Sequence, residues 1–304
     1  MTAATLPPKR HRAAPAKRPA TASRRRRREP LEWSKVATVA RTDLKQLAQS
    51  RDFWIPMAVL GSFFFLVIPT ILLLTITHLG DVHIVSQISQ TLDVLPQQAQ
   101  DAIRGSTPAA RSGYALAVYL FAPVAIVVPL TISTAVGAAT IVGERERGTG
   151  EFLAHCPAST HEIYLGKLIA SLVPGYLTTI VGFGAYSLMV NLIVGPEVGG
   201  WFFPTAQWWV LMVWVVPPFL ALALSMVLRL SARVKSTAAA QQASGLVTLP
   251  LIMIAYGQST GALFGDASAT FVIGCVAWVL ALVSLARGMR SVRRARLLGV
   301  ADEQ

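Results

Sequence analysis

GERERGTGEFLAHCPASTHEIYLGK, residues 143–167, is a short polar segment of mixed charge held between two long apolar runs. Four of the chain's 15 acidic residues, Glu144, Glu146, Glu151 and Glu162, fall within it. What flanks it decides the fold class. From 112 to 143 and from 168 to 196 there is no Asp, Glu, Lys or Arg, and a membrane-spanning helix needs only about 20 such residues, because the hydrocarbon core is about 30 Å thick and each helical residue rises about 1.5 Å.

Four further uncharged runs, 53–77, 198–228, 236–265 and 267–286, are long enough for the same purpose. With 53% hydrophobic and 14% charged residues and a mean hydropathy of +0.53, the chain departs from soluble domains, where about a quarter of residues are charged. Backbone N–H and C=O groups in lipid must be satisfied within the segment, so the expected form is helical. The sequence therefore predicts an all-α membrane protein with six spans near 54–77, 114–142, 164–194, 207–229, 238–259 and 269–287. They make up a body over 53–287, preceded by segments 1–30 and 31–52 and followed by a basic tail, 288–304.

The basic residues set the expected orientation. Of 27 Lys and Arg, fourteen precede the first span, three lie in 143–167, three between Arg229 and Lys235, and five between Arg287 and Arg296, which leaves only Arg104 and Arg111 for the other side. By the positive-inside rule both termini and segment 143–167 are expected in the cytoplasm, and the protein in a cell membrane. Trp201, Phe202, Phe203, Trp208 and Trp209 then fall at the outer ends of spans three and four, as expected of interfacial aromatics.

Residues 1–30 have almost nothing to bury, and Arg24–Arg28 are five consecutive cations, the composition of a disordered tail. Nothing aromatic or glycine-rich is interleaved with the arginines, so anionic lipid rather than nucleic acid is the expected partner. Over 31–52, Val36, Val39, Ala40, Leu44 and Leu47 fall on one helical stripe, with Lys35, Arg41, Lys45 and Gln49 largely opposite. This is an amphipathic helix, either lying in the membrane interface or extending the first span. Between spans one and two, 84–103 has room for one or two short helices.

No span carries a carboxylate, lysine or arginine at mid-depth, which disfavours an ion-coupled carrier. The most polar intramembrane positions are Asn191, Gln241, Gln242 and Ser244, as pathway or helix-contact residues. Cys156 and Cys275 give neither a disulfide framework nor a metal spacing, and neither a metal nor a catalytic residue is expected.

Within 143–167, Glu144, Arg145, Glu146 and Arg147 prolong the second span into water. Gly148, Thr149 and Gly150 break it, since each glycine costs a helix about 1 kcal/mol relative to alanine. A short element follows from Glu151, and Pro157 closes it. Ser159 and Glu162 have the spacing of a capping box that starts the next helix at Thr160.

These residues carry a family resemblance. Glu144, Glu146, Gly148, Thr149, Glu151, Pro157, Gly166 and Lys167 match a pattern that resembles the signature of permease subunits of ABC-2 type transporters, although Gly150 stands where that family has a large apolar residue. The insertion between spans one and two and the short last loop are more similar to its drug or sodium exporter branches. The resemblance implies that Glu144, Arg145, Glu146, Gly148, Thr149, Glu151, Phe152, Leu153, Pro157 and Lys167 dock a cytoplasmic ATPase subunit, with Phe152 and Leu153 as the apolar plug. It also implies pairing with a second permease copy or a homologue and export by alternating access. Gly166-Lys167 is not a phosphate loop, because His161 stands at the position of its first glycine and Leu168 follows the lysine. ATP and Mg are thus expected on the partner subunit. A non-transporting scaffold that recruits a cytoplasmic partner through the same segment is the alternative.

Overall fold

The computed structural model describes residues 31–79, 82–93, 97–146, 156–231 and 267–291, with isolated positions between 236 and 252. Among the described residues all regular structure is helical. In chain order the helices are α1 (Trp33–Gln49), α2 (Arg51–His78), α3 (Val82–Asp93), α4 (Gln97–Ala102), α5 (Pro108–Ala115), α6 (Val124–Glu146), α7 (Thr160–Ile193), α8 (Gly195–Val198), α9 (Ala206–Ser231) and α10 (Ala267–Ser291).

Five helices among the described residues are long and apolar enough to cross a membrane: Arg51–His78, Pro108–Thr140, Thr160–Ile193, Ala206–Ser231 and Thr270–Met289. The chain is a multi-pass membrane protein. The predicted span at 238–259 lies largely outside the described residues. The apolar part of Pro108–Thr140 is 78% buried, against 28% for that of α2 and of α10, so α5, α6 and α9 form the centre and α2 and α10 the periphery. The peripheral helices show Val59, Phe63, Ile71, Val276 and Val279 on their surface, where hydrocarbon solvates them at no cost.

The prolines act at specific carbonyls. Helical turns of wider, π type occupy Phe63–Val67, Leu116–Leu120 and Leu211–Val215, each two or three residues ahead of Pro69, Pro123 or Pro217. Proline has no N–H to donate. The backbone instead closes a bond five residues back, as from Phe121 N to Leu116 O and from Val216 N to Leu211 O. That register leaves the carbonyls of Ala117, Val118 and Met212 without their helical donors, a heavy cost in lipid. Aromatic side chains from other helices supply the missing donors: Tyr186 Oη to Ala117 O at 2.7 Å, Trp208 Nε1 to Val118 O at 2.9 Å and Tyr176 Oη to Met212 O at 3.1 Å. Pro56, Pro129 and Pro174 sit inside ordinary α-helix.

The aromatic cluster divides in two. Trp201 and Trp209 are exposed, but Trp208 and Phe203 are buried at 1% and 4%. They pack with Phe183 and Tyr186 because the indole N–H is needed inside the bundle. Asn191, at the same end, is buried and committed to the chain itself. Its Oδ1 accepts from Phe202 N and Phe203 N at 2.9 and 3.1 Å, and its Nδ2 donates to Phe203 O and Ser187 O. It clamps the α8–α9 connection.

Candidate functional site

The opposite end of the bundle, where α6 finishes and α7 begins, holds the described part of the polar segment. Glu144, Arg145 and Glu146 complete the last turn of α6. Residues 147–155, and with them the predicted Gly148, Thr149, Glu151, Phe152 and Leu153, lie outside the described residues, as do Gln241 and Ser244. Pro157 is exposed in the bend that leads to α7, and Gln242 is helical and exposed.

Helix α7 opens as the sequence predicts. Ser159 Oγ accepts from Glu162 N at 3.3 Å, and Glu162 Oε2 accepts from Ser159 N at 2.6 Å. The other carboxylate oxygen reaches α1, where Glu162 Oε1 accepts from Glu32 N at 2.9 Å. Helix α1 has no acidic residue in its first turn, and the side chain of Glu32 makes no capping bond; it pairs with Lys35 at 2.9 Å instead. One carboxylate therefore serves the positive N-terminal ends of two helices. Glu162 stands ahead of the apolar stretch of α7. Burial works to raise its pKa, but hydrogen bonds from Glu32 N and from the backbone and hydroxyl of Ser159, with the charge of Lys35, prevail and hold it below the ordinary value.

One turn further, α1 and α7 come into close contact. A Cβ on Gly166 would stand 2.7 Å from Val39, so α1 packs at this distance only because the position is glycine. The buried face of α1 consists of Val36, Ala40 and Asp43. Lys167 lies beside it, 1% exposed, with Nζ 3.4 Å from Asp43 Oδ2 and 3.1 Å from Thr140 O on α6. Ser171 Oγ donates to Lys167 O at 2.8 Å and lies 3.5 Å from Thr140 Oγ1. Lys167, expected to face a partner, is thus turned inward. Its charge follows the carboxylate on α1, because a buried cation must be paired.

The same turns of α7 also reach the remaining helices. Tyr164 Oη donates to Ser225 O on α9 at 3.4 Å. Arg229 Nε donates to that carbonyl at 3.0 Å and its Nη2 to Ser284 Oγ on α10 at 2.8 Å, while the Ser225 and Ser284 hydroxyls bond each other. The first three turns of α7 are thereby fixed to α1, α6, α9 and α10. These polar groups are spent on joining helices.

Asp43 is not among the residues that sequence reasoning singles out, although the signal is present. It continues the spacing of Val36, Val39 and Ala40, and a carboxylate on an apolar stripe requires a buried cation.

Residues 37–273 match the family model described as ABC-2 family transporter protein. The match begins within α1, ends within α10 and takes in Asp43, Thr140, Glu162 and Lys167. A comparison with curated proteins gives no match.

Proposed function

The chain belongs to the ABC-2 transporter family, and on that premise we propose that it is the permease subunit of an ATP-driven exporter, worked from segment 143–167. As a family member it is a membrane transport component rather than a catalyst. In the proposed reading both termini and this segment are cytoplasmic, the protein resides in the cell membrane, and six spans pair with those of a second copy or a homologue. A separate ATPase subunit binds ATP and Mg and docks on Glu144, Arg145, Glu146, Gly148, Thr149, Glu151, Phe152, Leu153 and Pro157. Its closure switches the spans between inward-open and outward-open arrangements, and substrate leaves by alternating access, as in drug or ion efflux.

The observation that supports this reading is the anchoring of α7. The far end of the segment is fixed by Glu162 to α1, and Lys167 joins α1 to the α6 carbonyl of Thr140, so a force on residues 147–155 moves helices and is not absorbed locally. Interfaces and packed helices that have two discrete arrangements convert such small displacements into larger ones.

The test is to co-express the chain with a candidate ABC ATPase subunit that co-purifies with it and compare Glu146→Arg and Phe152→Asp with the native sequence. Both variants should insert normally, lose co-purification with the ATPase and lose transport-dependent ATP turnover. Normal turnover in both would falsify the docking role.

A further inference from the structure

At the end of the bundle remote from α1, a half-open cleft of about 260 Å³ lies between α3, α4 and the start of α5, lined by Ser89, Leu92, Gln100, Ile103, Pro108 and Arg111. A cavity of about 150 Å³ is enough to hold benzene, so there is room here for a small head group with the beginning of a chain. Thr107, just before the lining Pro108, caps α5, with Oγ1 accepting from Ala110 N at 3.1 Å and its carbonyl accepting from Arg111 N at 3.0 Å. This holds Arg111 in the first turn of α5, on the rim.

The walls divide by chemistry. Leu92, Ile103 and Pro108 are apolar, whereas Arg111 is permanently charged. The Ser89 hydroxyl is already spent as a donor, to Val85 O at 2.7 Å, so the guanidinium selects the sign of the ligand. A planar fork of donors suits a carboxylate or phosphate. Asp101, exposed on α4, is not among the walls.

We infer that this cleft binds an amphiphile with an anionic oxygen head group on Arg111 and its first carbons against Leu92, Ile103 and Pro108. The ligand comes either from solution or from the adjacent leaflet as an anionic phospholipid; the chemistry recognised is the same.

The test uses the full chain in phosphatidylcholine nanodiscs titrated with octyl phosphate, with inorganic phosphate in parallel, followed by the melting temperature. In a second arm, nanodiscs containing phosphatidylglycerol are mildly delipidated and the retained lipid is identified by mass spectrometry. Saturable stabilisation by octyl phosphate assigns the soluble source, and retention of phosphatidylglycerol over phosphatidylcholine assigns the lipid. In the responding arm Arg111→Gln should weaken binding about tenfold or more, as loss of a charge-assisted hydrogen bond does. Ser89→Phe, which fills the cleft and leaves the charge, should abolish it, and Arg104→Gln should leave it unchanged. The inference is overturned if neither arm responds, if Arg111→Gln and Ser89→Phe bind as the native chain does, or if inorganic phosphate binds as tightly as octyl phosphate.

Discussion

Lys167 and Asp43 are 124 positions apart in the chain, yet they form an ion pair at 3.4 Å with side chains only 1% and 9% exposed. Removing one partner strands the other charge, at a cost of about 3–5 kcal/mol, whereas replacing both with apolar groups of similar volume is near neutral. Lys167→Met and Asp43→Leu are therefore each expected to lower the unfolding midpoint of the purified protein strongly. The double variant should regain most of the loss. A double variant as unstable as the two single losses added together would show that the groups do not act as a pair.

Glu162 gives the same end of the bundle a pH dependence. Its carboxyl is held below the ordinary glutamate value in the folded chain, so its contribution to stability is fully present above the unfolded value, about 4.3, and is lost as pH falls through the folded one. The protection factors of the Glu32 and Ser159 amides, which correct exchange for its intrinsic pH dependence, should fall together over that interval. Glu162→Gln should show low protection at both pH extremes, since its amide nitrogen cannot accept the second N–H. Protection factors that stay constant across that interval in the native chain would remove Glu162 as the joint.

The carbonyl of Val118, left without a helical donor ahead of Pro123, is satisfied by Trp208 Nε1 at 2.9 Å. Trp208→Phe keeps an aromatic ring but removes the donor, and a buried carbonyl left unpaired costs about 1–3 kcal/mol. Tyr186→Phe should cost a similar amount through Ala117 O. The exposed Trp209 provides the comparison, with an expected change below about 0.5 kcal/mol on substitution by Phe. Thermal unfolding of the three variants in one lipid composition distinguishes these outcomes.

These residues also mark where the sequence stopped being legible. Uncharged runs of sufficient length announce helices, and the Ser159 to Glu162 spacing announces the start of α7, because both signals are local. The stripe of α1 was equally visible, with Val36 and Ala40 buried as its period requires. What the sequence does not show is which helix supplies a missing donor. Trp208 reads as an interfacial anchor until Val118 is found beside it, and Lys167 reads as a surface cation until α1 is placed across it. In each case the deciding partner is more than 80 residues away, and no periodicity encodes it.

Gly166 offers a test of whether α1 must sit this close for the segment to be coupled to the bundle. A methyl group there would meet Val39 at 2.7 Å, closer than packed atoms allow, and relieving such a clash costs about 1–3 kcal/mol. In Gly166→Ala the helix α1 should shift away from α7, lengthening the Lys167 to Asp43 contact and exposing both charges. Membrane insertion should be unaffected, because an added methyl group does not lower the hydropathy of the span. The distance between spin labels at two exposed positions, Ala37 on α1 and His161 on α7, should increase, and substrate-dependent ATP turnover of the assembled transporter should fall. Val39→Gly in the same chain removes both obstructing side-chain atoms, Cβ and Cγ1, leaving only Val36 O at 3.1 Å, and should restore most of both. If turnover falls and Val39→Gly does not restore it, the defect lies in α7 itself and the role assigned to α1 is wrong.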